Sequence, residues 1–212
     1  YGIRETLIIT RSNKRANMYN EHIRQRLLWR EEKIEAGDLL MAVKNNYYWF
    51  KDQKGQEFIA NGESLEVVRI QRVEEQYDKQ FADVTVKFVD RDGAIEMDIK
   101  VMLDTLSLEG PSMEAASMTE FFHQVSASYS HISNGTKRLE RIRNDAYLNA
   151  LQIKFSYAVT CHKSQGGQWK AVFIDCNFYN LEVNLDFLRW MYTAVTRATD
   201  QLYYISLPEN LR

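Results

Sequence analysis

One arginine and one glycine-bearing loop carry most of the chemistry in this sequence. Trp190-Met191-Tyr192-Thr193-Ala194-Val195-Thr196-Arg197-Ala198 reads as a helix that ends by projecting Arg197, followed by a short apolar strand at 202–207. A guanidinium fixed at the end of a packed helix can reach a neighbouring domain's nucleotide and neutralise charge developing on a transferred phosphoryl group. The plainer alternative is a basic residue favoured by the negative end of the helix dipole. Upstream lies Thr160-Cys161-His162-Lys163-Ser164-Gln165-Gly166-Gly167-Gln168, a polar cluster between two apolar runs. Thr160 and His162 stand two apart, so on an extended segment they face one side, and both can hydrogen-bond a phosphate or sugar. The alternative is a loop whose polar groups only satisfy backbone. Gly166 and Gly167 permit a sharp turn or a close approach of backbone.

Other groupings are read more plainly. Cys161 beside His162 has the look of a nucleophile and its base, but adjacent side chains on an extended segment point apart. Asp83, Asp90, Asp92, Glu96 and Asp98 could crowd a metal ion, yet Asp90-Arg91-Asp92-Gly93 is better read as a hairpin turn, and no metal site is expected. Lys137, Arg138, Arg141 and Arg143 are interrupted by Glu140, as on a solvated helix face, with contact to a nucleic-acid backbone as the alternative. Tyr47-Tyr48-Trp49-Phe50 follows a strand and divides between core or hairpin packing and base stacking or a partner surface.

The elements that must position these residues fall into three zones. A buried strand at 6–10 leads through Ser12, a candidate N-cap, into a helix to Leu28, whose packed face is expected to carry Ala16, Tyr19, His22 or Ile23, Arg26 and Leu27. From about residue 37 to 108 the period becomes strand-like, with runs at 38–43, 65–70, 83–89 and 95–99. Asn45-Asn46 and Asp92-Gly93 suit tight hairpins, and Asn61-Gly62 another turn. Such strands suggest a small antiparallel barrel of the SH3 or OB kind. Helices follow at 118–129 and 136–151, then strand 154–160, the polar loop, strand 171–175, helix 186–197 and strand 201–207. Strands alternating with helices suggest a parallel sheet, so the simplest arrangement is one α/β domain carrying a β-rich insertion.

Composition limits the function classes. At 212 residues, 45% hydrophobic and 12% aromatic, the chain can bury a core. A net charge of −2 and a pI near 6.1 exclude a surface basic overall, so any nucleic-acid contact must be a local groove. Cys161 and Cys176, without a CxxC, support neither a disulfide framework nor a zinc site. With no secretory segment and no apolar run of about 18 residues, a cytoplasmic protein without a membrane partner is expected. An opening at Tyr1 suggests a portion of a longer protein.

The end segments resemble the second RecA-like domain of superfamily 1 DNA helicases, most closely the RecD-like branch, which shares a C-terminal module with the UvrD family. Val159-Thr160-Cys161-His162-Lys163-Ser164-Gln165-Gly166 resembles that family's T-x-H-K-S-Q-G element, and Tyr192-Thr193-Ala194-Val195-Thr196-Arg197-Ala198 its arginine-bearing motif VI. Ile9-Thr10-Arg11-Ser12-Asn13 is similar to the motif IV region. The middle module resembles the SH3-like insertion of RecD-like enzymes. The resemblance implies an α/β fold: a RecA-like, P-loop NTPase-type parallel sheet at 1–36 and 136–212, interrupted by a small antiparallel SH3-like β-barrel at 37–110, with a helical connector at 111–135. It implies Arg197 as arginine finger, nucleotide contacts from Gly166, Gln168, Arg197 and Arg11, and nucleic-acid contacts from Thr160, His162, Lys163 and Ser164. The family pattern has glutamate where Gln168 stands, and often a second arginine where Thr199 stands.

No G-x-x-x-x-G-K-[ST] occurs, so the phosphate loop and its magnesium ligand are missing and this portion alone is expected not to hydrolyse ATP. The expected whole is an ATP-dependent DNA helicase, with association to an exonuclease or repair partner left open. Its upstream RecA-like domain would supply the phosphate loop, ATP and Mg²⁺ would bind only in the complete protein, and single-stranded DNA or a duplex junction would be its partner. The competing expectation is a non-catalytic nucleic-acid or protein docking module derived from a helicase domain.

Overall fold

The computed structural model describes residues 1–51, 58–89, 91, 95–177 and 184–207, and divides into two units, 1–31 with 155–212 and 32–154. In the first, β1 (Thr6–Thr10), β7 (Ala158–Thr160), β8 (Trp169–Asp175) and β9 (Ala198–Ile205) form a four-stranded sheet in the order β7-β1-β8-β9. Every pairing in it is parallel. Leu7, Ile9, Val172 and Ile174 fill its interior, as near-continuous apolar strands buried between helices should. This is the RecA-like parallel sheet with its helices, α1 (Asn13–His22) and α4 (Leu185–Val195).

Ser12 caps α1, its hydroxyl accepting from the Arg15 amide at 3.3 Å. The inward face differs from expectation. Ala16, Asn20 and Arg24, at helical spacing, are buried, whereas His22, Arg26 and Leu27 are exposed. Asn20 takes the central place because its side chain bonds backbone: Nδ2 donates to the Phe155 and Ala158 carbonyls at 3.1 and 2.9 Å, and Oδ1 accepts from the Ala158 amide at 2.7 Å. The helix then widens into a π turn, Ile23–Leu27, which shifts the register of everything beyond it. Trp29 comes next in the left-handed region at φ 55°, with its side chain exposed.

In the second unit β2 (Leu39–Ala42), β3 (Ser64–Gln76), β4 (Lys79–Phe88), β5 (Glu96–Met102) and β6 (Leu151–Phe155) close a five-stranded barrel in sequence order. Its first four strands pair antiparallel, but β6 joins β5 in parallel, so the barrel is not wholly antiparallel as the hairpin signals suggested. Leu40, Leu65, Val84, Val86 and Ile153 lie inside it without solvent contact. α2 (Ala115–Ser128) packs Phe121 and Val125 against Phe81 and Met102. The tight turn joins β3 to β4, where Tyr77 and Asp78 both take positive φ; it is not at Asn45-Asn46, which leads into a longer excursion bridged by Asn46 and Ile59. The two-residue loop needs left-handed backbone and here does without glycine, which hid it from the sequence signal. Asp92-Gly93 lies outside the described residues, although the flanking strands pair across it, Lys87 with Glu96.

α3 (Gly135–Arg143) stops at Asn144 instead of running to Leu151. Asp145 terminates it, its carboxylate accepting from the Leu148 amide and the Tyr129 hydroxyl. The expected single strand at 154–160 is two, β6 in the barrel and β7 in the sheet. Among the described residues no helix is long and apolar enough to cross a membrane.

Candidate functional site

The polar cluster meets the N-terminal strand where β1 and β7 end. Thr10 and Thr160 are register partners on these parallel strands, so the chain leaves both at one level, into Arg11 and Cys161. Carboxyl ends of parallel strands leave a crevice walled by the adjoining loops. Here it is a cleft of about 460 Å³ lined by Arg11, His162 and Gln165 on one side and Asp186, Arg189 and Trp190 of α4 on the other. The α4 residues were not read from sequence as site residues. Their signal was the exposed half of an amphipathic helix, which most solvated helices share.

Beyond Thr160 the chain winds into a 3₁₀ turn, Cys161–Ser164. Successive side chains are then rotated by roughly 120°, so Thr160 and His162 do not share a face in the way an extended segment would give. His162 is exposed. Cys161 is buried, its thiol donating to the Trp190 carbonyl at 3.5 Å, and burial raises its pKa while Arg197 partly offsets the effect. A thiol held protonated is a poor nucleophile. Ser164 is fully buried, and its hydroxyl donates to the Cys161 carbonyl at 2.7 Å, closing the turn. That hydroxyl positions the loop and faces no open surface. Lys163 is half-buried, and desolvation pulls its ammonium pKa down.

The two glycines do different work. Gly166 takes φ +88° with open space around it, so the turn needs its backbone freedom. Gly167 is favoured by contact, since a Cβ there would lie 2.3 Å from the Trp169 ring as it stands. Gln168 is exposed beside them.

Arg197 folds back at the end of α4. Its Nε donates to the Thr193 carbonyl at 3.1 Å, one terminal nitrogen to the Gly167 carbonyl at 3.0 Å and the other to the Thr196 hydroxyl at 3.0 Å. All three acceptors are neutral. The Trp169 amide in turn donates to the Arg197 carbonyl at 2.9 Å, and the Thr199 hydroxyl to the Trp169 carbonyl at 3.2 Å. Loop and arginine are therefore one hydrogen-bonded assembly, and Thr199, at the place of a second arginine, helps to tie it.

Residues 155–205, which span both segments, match the family model of the UvrD-like helicase C-terminal domain. Solved structures give fold likenesses to Pif1 helicases. One, described as unwinding forked double-stranded DNA by two coordinating Pif1 helicases, has TM-score 0.50 and 11% identity over 98% of this chain and 40% of its own. The Pif1 helicase of Candida albicans has TM-score 0.49 and 15% identity, over 97% and 46%. Pif1 from Bacteroides, solved with ADP-AlF3 and single-stranded DNA, has TM-score 0.48 and 11% identity, over 96% and 41%. The chain thus spans less than half the length of these proteins. Comparison with the curated proteins finds no match.

At the C-terminal end of β8, Asp175 is buried and held by Arg15, whose Nε and terminal nitrogen donate at 2.6 and 2.9 Å. This pair joins α1 to the same strand ends from which the cleft rises. The carboxylates whose number suggested a metal are otherwise engaged: Asp83 pairs with Lys100 at 2.7 Å and Asp98 accepts from the Thr85 hydroxyl at 2.6 Å, while Asp90 and Asp92 lie outside the described residues. Among the described residues no three His, Cys, Asp or Glu side chains are grouped to hold a metal ion.

Proposed function

We propose that this chain is the C-terminal part of an ATP-dependent DNA helicase of RecD-like character, whose upstream RecA-like domain supplies the phosphate loop. The observation that carries the reading is the bond from Arg197 to the Gly167 carbonyl, because it couples the arginine to the loop within the matched helicase region. Arg197 is the finger: neutral acceptors hold the guanidinium in place, and a phosphate oxygen, being charged, outcompetes a carbonyl for its N–H groups. Arg11, Gly166 and Gln168 are assigned to the nucleotide, Gln168 accepting from a ribose hydroxyl without the charge a glutamate would bring. Mg²⁺ enters with the phosphate loop and its neighbours in the upstream domain.

His162, Thr160 and Lys163 are assigned to single-stranded DNA. The lowered pKa of Lys163 reflects desolvation that an approaching phosphate would offset. Motion of the Arg197 assembly on ATP binding and release is passed to His162 through the short turn that separates it from Gly167, which is how hydrolysis would move a strand. The solved protein of matching fold unwinds forked DNA, and the proposal extends that activity to this chain.

The test is DNA-stimulated ATPase of the complete protein with Arg197→Ala, at one fixed salt concentration. Hydrolysis is expected to fall by about 10³-fold or more with nucleotide binding largely kept; hydrolysis at the wild-type rate overturns the finger assignment. If the complete wild-type protein binds single strands yet hydrolyses nothing, the docking-module reading, favoured by glutamine at 168, replaces this one.

A further inference from the structure

Two motifs that the helicase site does not use, the aromatic run 47–50 and the basic helix α3, come together on the barrel unit. They meet at a cleft of about 430 Å³ whose lining includes Lys44, Tyr47, Tyr48, Lys51, Arg143 and Asn144. No carboxylate is among its described lining residues, in a chain whose net charge is −2. Lys44, Lys51 and Arg143 are all exposed, so three cations face one opening.

Its aromatic side chains are held in different ways. Tyr47 is 62% exposed, with its ring set against Phe58 at 4.9 Å between centroids. An aromatic backed on one side and open elsewhere costs solvation in the free protein and offers a flat surface to a planar ligand. Tyr48 donates its hydroxyl to the Asn144 carbonyl at 3.1 Å and carries the Lys51 ammonium 4.0 Å above its ring. Beneath them the loop is bolted down, because the Asn149 carbonyl accepts from Asn46 Nδ2 at 2.8 Å and from Trp49 Nε1 at 3.0 Å. The platform is therefore preorganised, which lowers the entropy lost on binding.

We propose that this cleft binds a single-stranded nucleic-acid segment, stacking a base on Tyr47 and setting phosphates against Lys44, Lys51 and Arg143. Cations tracking a backbone beside an exposed ring on a rigid support is the chemistry of sequence-tolerant strand binding. An acidic peptide would use the cations but gains nothing from the open ring and the amides around it. The inference goes beyond the helicase reading and does not rest on Arg197 or on the 160–168 loop.

The experiment is fluorescence anisotropy of this chain with a labelled short oligothymidylate across a salt series. Tyr47→Ala is expected to weaken binding about tenfold, the order of one base stack, while Tyr47→Phe keeps it. Lys44→Gln with Lys51→Gln is expected to reduce the slope of log affinity against log salt by about 1.4, two phosphates' worth for a single strand. Unchanged binding by Tyr47→Ala overturns the proposal, and so does equal displacement by oligoglutamate, which would mark a peptide site. His162→Ala measured in parallel separates the two sites. Loss there with none at Tyr47 removes this cleft and spares the helicase reading, and the reverse result removes the loop assignment and spares the cleft.

Discussion

The sheet unit and the barrel unit each present a polar cleft, but they build it by different means. In the sheet unit the cleft's place is set by backbone topology: parallel strands end together at Thr10 and Thr160, and glycines and carbonyls shape the loop beyond them. A closed barrel leaves no such crevice, so its cleft is made by a long excursion pinned through side chains, Asn46 and Trp49 onto one carbonyl. Backbone-built sites should be sensitive to changes in conformational freedom. Side-chain-built sites should fail one hydrogen bond at a time.

The largest effect tests the scaffold. Phe81→Ala opens a cavity between β4 and α2, where Phe81 packs on Phe121 and Tyr147, and should cost about 3–5 kcal/mol in urea unfolding. Next comes Asp175→Asn, which leaves Arg15 without its carboxylate; because Arg15 is 32% exposed the loss should be about 1–3 kcal/mol, read as a lower thermal midpoint. Gly167→Ala should cost about 1–3 kcal/mol through its clash with Trp169, and Trp169→Leu in the same chain should recover most of it. If Gly167→Ala is silent, the sheet unit's loop is not shaped by backbone contact and the contrast between the two units collapses. Asn46→Ala should cost only about 1 kcal/mol in stability while weakening strand binding at the barrel cleft.

The smallest effect is a pH slope. Burial lowers Lys154 to about 8, with its ammonium donating to the Leu108 carbonyl. A lysine depressed in the fold binds fewer protons than in the unfolded chain, so its penalty is full below pH 8 and is relieved as pH rises from about 8 toward its ordinary value near 10.5. Lys154→Met should flatten the stability profile in that window. Lys100 acts in the opposite sense: burial opposes its charge, but Asp83 and Glu74 raise its pKa, so its contribution holds at low pH and is lost only as pH climbs through the raised value.

The sheet unit was the more legible in sequence. Its strands are short apolar runs and α4 has a clear stripe, so period and order placed them within a few residues. The barrel's strands were also visible, but closure by β6 depends on a parallel pairing with β5 across 103–150, which no local pattern announces. Residue type singled out Arg197 and the two glycines, and the structure joins Arg197 to the loop through the Gly167 carbonyl. The inward turn of Ser164 and the 3₁₀ geometry that separates Thr160 from His162 were not, because both come from tertiary hydrogen bonds. On α1 an asparagine took the core position that apolar periodicity gave to its neighbours, since two strand ends needed its amide more than the core needed carbon.

Gly167 and Trp169 fit as a cast fits its mould, the indole filling the volume where a side chain at 167 would begin. The two positions share one volume. Without the indole, alanine would fit at 167, whereas with the indole in place a side chain there must push the ring aside. Shrinking the ring at 169 makes room at 167, so the two substitutions together should cost less than the sum of each alone.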